Sequence, residues 1–193
     1  MATMKIVAYG FRSFIFSLVI AAVMAQATPP ARAETVAITP EFGGRVTSAL
    51  TGRWLGALEY RDYKSDARVS LPTLLEVNAG SNGSLDLSYT YDDGNGKIVR
   101  EHQVARIDSV AATYVITNED KSSDPYRIAS ASPFDASGKT QLVLVGHGTD
   151  NDRPADVRET LTITPKAMTM LRETRVTGGE FLFRHRFTFS RLQ

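Results

Sequence analysis

The chain has no cysteine, which excludes disulfides, thiolate chemistry and a cysteine-linked lipid anchor. Tryptophan occurs once, at Trp54, and histidine only at positions 102, 147 and 185. No His-x-His or His-x-x-x-His pair is present, so a zinc site requires three separate strands to converge. No serine stands in a nucleophile elbow, and no glycine-rich phosphate loop occurs. Asp150-Asn151-Asp152 resembles a fragment of a calcium loop but lacks its glycine and distal glutamate. After the first 33 residues there is no long apolar run, no block of like charge and no low-complexity linker.

The amino-terminal segment reads as a signal peptide. Lys5 and Arg12 precede the apolar run Phe14 to Ala25, and Ala31-Arg32-Ala33 forms a small-x-small cleavage site. Ala25-Gln26-Ala27 is a second candidate, placing cleavage after Ala33 or Ala27. The run is short for a bilayer span, so no stable membrane insertion is expected after cleavage. The expected location is periplasmic or secreted. Without Lys5, Arg12 and Arg32 the remaining chain carries 19 basic and 21 acidic residues, a formal net charge of −2. That balance argues against nucleic acid as a partner. Residues 34–193 then suit one domain, large enough for a sizeable core.

This domain reads as a succession of short strands. Trp54, Gly56, Leu58 and Tyr60 alternate with Arg53, Ala57, Glu59 and Arg61 in a half-buried strand. Leu71 to Val77 follows, with Pro72 placed where no ladder donor is needed. Asn82-Gly83 turns into Leu85 to Tyr91, and Asp93-Gly94-Asn95-Gly96 turns into Lys97 to Ile107. Further strands are read at Tyr114 to Thr117, Tyr126 to Ser130, Gln141 to Val145, Val157 to Ile163, Met168 to Val176 and Glu180 to Arg191. Thr149 to Ala155 reads as a polar loop. Thr39-Pro40-Glu41 predicts one helical turn and no long helix. About ten strands joined by short hairpins predict an all-β, antiparallel up-and-down β-barrel.

The last strand fixes the expected closure. Phe181, Phe183, His185, Phe187, Phe189 and Arg191 share one face by alternation, and that face should point inward. If the first and last strands pair antiparallel, Arg191 meets Trp54 in a cation–π contact, and His185 falls near Leu58 and Tyr60.

Gly52-Arg53-Trp54 entering the first strand, with Arg191 on the last, resembles the calycin superfamily of lipocalins, fatty-acid-binding proteins and avidins. The strand count resembles its ten-stranded members. The chain departs from true lipocalins in lacking cysteines and a helix after the eighth strand. It is also similar to nitrobindin, whose last-strand histidine ligates haem iron. His185, within Arg184-His185-Arg186-Phe187-Thr188-Phe189, lies where that residue would. Glu59-Tyr60-Arg61 stands where that family has further glycine.

The expected function is the binding of a small apolar or amphipathic molecule in the lumen, with no cofactor. Tyr60, Tyr89, Tyr91, Phe183 and His185 are its candidate ligand-binding residues, and Trp54 and Arg191 are structural closure. Met168 and Met170 could line the same space or fill it. The bland alternative for His185 is a neutral ring hydrogen-bonded to Tyr60 or the backbone. His102 should be solvated and His147 lie near a mouth. Glu159 and Glu173 are expected outward, beside Arg158 or Arg175. Two other classes compete: a haem or isomerase-type barrel using His185, and an envelope structural protein with a filled barrel.

Overall fold

The computed structural model describes residues 35–193, so the expected signal peptide and both cleavage sites lie outside the described residues. Helix α1 (Pro40–Leu50) leads into β1 (Gly52–Arg61), β2 (Arg68–Ala79), β3 (Ser84–Asp92), β4 (Ile98–Asp108) and β5 (Thr113–Asn118). Then come β6 (Ser123–Ala131), β7 (Thr140–Asp150), β8 (Arg153–Ile163), β9 (Ala167–Val176) and β10 (Leu182–Arg191). Every strand pairs with its sequence neighbours and β10 returns to β1, giving the expected closed up-and-down barrel. Closure leaves no free sheet edge, which suits a domain without disulfides.

The helix is longer than the single turn read from the sequence. Thr39 caps it by accepting a hydrogen bond from the Phe42 amide at 3.1 Å, and Pro40 occupies the first turn. Phe42, Val46 and Leu50 recur every four residues and form its buried face. Gly43 and Gly44, poor helix formers, mask this pattern. Gly43 lets the helix approach the barrel end closely, because a Cβ there would stand a tight 3.1 Å from Ser109 Oγ.

Closure follows the expected register, with Trp54 opposite Arg191, Leu58 opposite Phe187 and Tyr60 opposite His185. The Arg191 guanidinium lies 4.0 Å from the Trp54 ring and donates to the carbonyls of Thr51 (2.6 Å), Pro165 (2.9 Å) and Ala49. Helix carbonyls at a carboxyl end lack intrahelical donors, and this arginine serves them. Trp54 Nε1 donates to the Leu50 carbonyl at 2.8 Å. Trp54, Leu75, Leu142, Ile163, Met168 and Phe189 fill this half almost without exposure. A gap of about 10 Å³ remains between Leu50, Leu87, Leu161 and their neighbours, space for one water at most.

The other half is less tightly zipped. The β2–β3 ladder stops at Thr73 and Tyr91, and the β6–β7 ladder stops at Arg127 and Val145. Pro72 and Pro125 sit just past these points, where no amide is needed for those ladders, as expected for Pro72. The polar loop read at 149–155 is instead a tight hairpin. The β7–β8 ladder continues to Asp150 and Arg153, and Asn151 and Asp152 turn the chain with φ of +50° and +61°.

Candidate functional site

A bulge in β10 decides which aromatic residues reach the lumen. Phe183 pairs with Glu173, but His185 pairs with Arg172, so Arg184 is an extra residue between them. Paired residues share a face, and Glu173 points outward to Arg158 at 2.8 Å. Phe183 therefore faces outward, where Arg68 lies 3.6 Å from its ring centroid. Phe181 is also outside, beneath Arg158 and Arg175. This corrects the inward placement of both residues. The alternation holds from His185 to Arg191.

Within the half away from α1 lies a cavity of about 210 Å³. Leu58, Ile116, Met170 and Phe187 form its apolar part, while Tyr89, Tyr91, Tyr126, Arg172, Glu159 and His185 bring polar groups to it. Glu101, Gln103 and Asp124 complete the lining. Three expected residues, Tyr89, Tyr91 and His185, thus meet around one space. Tyr60, opposite His185, is half-buried and does not line it. Leu87 and Met168 belong to the filled half.

Arg172 Nη1 donates to Glu159 Oε1 at 2.9 Å and to Tyr126 Oη at 3.1 Å. Glu159 is buried and inward, which corrects its expected placement, while Glu173 lies outward beside Arg158 as read. Alternation with Val157 and Leu161 already put Glu159 on the inward face. Gly146 makes room for the network: a Cβ there would stand 2.9 Å from the Tyr126 ring. Burial pushes the Glu159 pKa up, against the pull of Arg172. Burial, with the repulsion of Glu159, raises Tyr126 to about 12.

Burial, together with Arg172 and Arg184, pushes His185 down to about 4, so its imidazole is neutral at pH 7. Its ring edge meets Phe187 at 5.6 Å, and no hydrogen bond to Tyr60 forms. Phe187 also touches Tyr89 and Tyr91, whose rings stack 5.9 Å apart. Tyr91 donates to Glu101 Oε2 at 3.1 Å, and Gln103 donates to Glu101 Oε1 at 2.8 Å. Glu101 and Asp124 escaped the sequence reading because each sits among polar neighbours that suit a solvent face, and Gln103, Tyr126 and Arg172 because nothing in their spacing marks them.

A contact spans the rim of this half. Tyr63, in the β1–β2 turn, donates to Asp150 Oδ1 at 2.8 Å, and Arg184 stacks 3.2 Å from the Tyr63 ring centroid. Strands β10, β9 and β8 lie between β1 and β7, so this latch arches over three strands. His102 faces outward and is exposed; His147 lies on the outer wall, 3.1 Å from Asp156, rather than at a mouth. Among the described residues, no three His, Asp or Glu side chains gather as a metal site.

No protein-family model and no curated protein matches the chain. Its structure is similar to that of Rv2717c from M. tuberculosis, at 12% identity, TM-score 0.49, covering 80% of this chain and 99% of that one. It is also similar to the S-type phycobiliprotein lyase CPES from Guillardia theta, at 10% identity, TM-score 0.50, covering 79% and 96%. At such low identity the likeness carries the fold alone, a closed antiparallel barrel.

Proposed function

We propose that the protein binds a small amphipathic molecule in the half of the barrel away from α1. The observation that carries this reading is one partly open cavity shared by an apolar wall and a polar network. Leu58, Ile116, Met170 and Phe187 receive the apolar part, and Tyr126, Arg172, Glu159, Tyr89 and His185 orient the polar part. An apolar cavity of about 150 Å³ holds a benzene molecule. The 210 Å³ here therefore suits one ring and a headgroup of a few atoms. We also read residues 1–33 as a signal peptide and the protein as exported, which amino-terminal sequencing of the mature chain tests. Native mass spectrometry of protein taken directly from its exporting cell tests the binding reading. A discrete adduct supports it, and its loss in a Leu58→Trp variant that fills the cavity assigns it to this site.

Haem is the second reading, because a neutral buried histidine on the last strand is a suitable axial donor. The residues present do not fit it. Drug-sized ligands occupy about 300–1,000 Å³, and a porphyrin beside His185 would displace Arg172 and Phe187 from a 210 Å³ space. Titration with haemin should give no Soret band that depends on His185.

A further inference from the structure

Resting on the binding reading above, we infer that the cavity selects an organic cation: one aromatic or compact apolar group bearing an ammonium head. The charges around the space carry this. Arg172 is the one cation lining it and is already matched by Glu159 at 2.9 Å. Glu101 and Asp124 line the same space, and neither has a cationic partner among the described residues. Their contacts are neutral donors: Tyr91 and Gln103 on Glu101, and the Asn118 side-chain nitrogen on Asp124 at 3.3 Å. Neutral donors orient a carboxylate without cancelling its charge, so the cavity lining carries negative charge in excess.

A second, independent feature points to a guest. Tyr89 is only 4% exposed, lines the cavity, and its hydroxyl has no hydrogen-bond partner among the described residues. No side-chain nitrogen or oxygen among the described residues is both sealed from solvent-sized space and unpartnered. That hydroxyl therefore faces the open volume. Tyr89, Tyr91 and Phe187 surround it with aromatic rings. Ring faces attract ammonium groups by their quadrupoles, and most strongly where water is excluded. The exposed position of Glu101 and Asp124 places their field at the entrance, where it raises the encounter rate of a cation.

Three probes with one ring and different heads separate the outcomes by isothermal calorimetry: benzyltrimethylammonium, phenylacetate and 2-phenylethanol. The ammonium should bind about tenfold or more tighter than the other two, and its affinity should fall with added salt. Glu101→Gln and Asp124→Asn should each weaken it about three- to tenfold and weaken 2-phenylethanol by less. Tighter binding of phenylacetate, or an ammonium affinity indifferent to both substitutions, overturns the cation assignment and leaves the binding reading standing. Failure of all three probes, with no adduct in the native mass spectrum, overturns both.

Discussion

The β1–β10 seam crosses two unlike environments within one ladder. At the α1 end, Trp54 and Arg191 face each other, and the guanidinium has an indole and three carbonyls for company. Six residues along, Tyr60 faces His185, whose ring nitrogens have no hydrogen-bond partner among the described residues. The same contrast separates the two arginines that serve the interior. Arg191 places all three of its nitrogens on backbone carbonyls, whereas Arg172 makes hydrogen bonds only through Nη1 among the described residues. One half of the barrel is satisfied by itself, and the other is arranged so that something else completes it. A site needs unspent interactions, and these lower the stability of the region that holds them.

The largest effect should come from truncating the satisfied half. Trp54→Ala removes a fully buried indole and leaves the Leu50 carbonyl without its donor, which should cost about 4 kcal/mol by urea unfolding. Leu58→Ala, on the same strand and face but beside the cavity, should cost about half as much, since one wall of that leucine already meets open space. Equal losses would mean that the two halves are packed alike, and the contrast would fail.

Arg172→Met should come next, with a loss of about 3 kcal/mol, because it leaves Glu159 buried without its cation. The double variant Arg172→Met, Glu159→Gln should recover most of that loss, which a double-mutant cycle measures. If the single and double variants are equally destabilised, the pair is not the unit described.

His185 gives a pH signature of somewhat smaller size. Its folded-state pKa is depressed from 6.5 to about 4, so the unfolded chain takes up a proton first as pH falls. Stability from this residue is present in full above pH 6.5 and is lost as pH drops toward 4, by about 2 to 3 kcal/mol. Glu159, whose pKa is raised, opposes this trend as it gains a proton in the folded state. Comparison with His185→Phe isolates the histidine: the variant's stability should decline less between pH 6.5 and 4. A wild-type decline matched by the variant would place the ring in ordinary solvent.

Much of this was legible from residue order, and the exceptions have physical causes. Ten strands, the closure and the Trp54–Arg191 pairing followed from alternation, because a seam has only a few registers that keep every aromatic on one side. The β10 bulge was invisible: Phe181, Phe183 and His185 alternate without interruption, and only pairing with Glu173 and Arg172 reveals the extra residue. The polar side of the cavity was harder still. Glu101 and Asp124 lie near strand ends on walls where inward and outward positions are both hydrophilic, so alternation carries no information there. Helix α1 was hidden by two glycines, although its cap and its four-residue apolar spacing were both present.

The smallest expected effect concerns the rim. Tyr63, Asp150 and Arg184 tie the β1–β2 turn to the β7–β8 hairpin with one hydrogen bond, one stacking contact and an Arg184–Asp150 ion pair at 3.9 Å, all partly exposed. Tyr63→Phe keeps the ring under Arg184 and removes only the hydroxyl, so the global loss should be about 1 kcal/mol or less. The local consequence should be clearer. Amide hydrogen exchange at residues 62–67 and 148–153 should quicken about two- to fivefold, while exchange in α1 stays unchanged. Acceleration confined to those two turns identifies the latch as an independent opening unit of the cavity half. A uniform acceleration that includes α1 would instead mean that the rim and the α1 end open together, and that the two halves are one cooperative body despite their different chemistry.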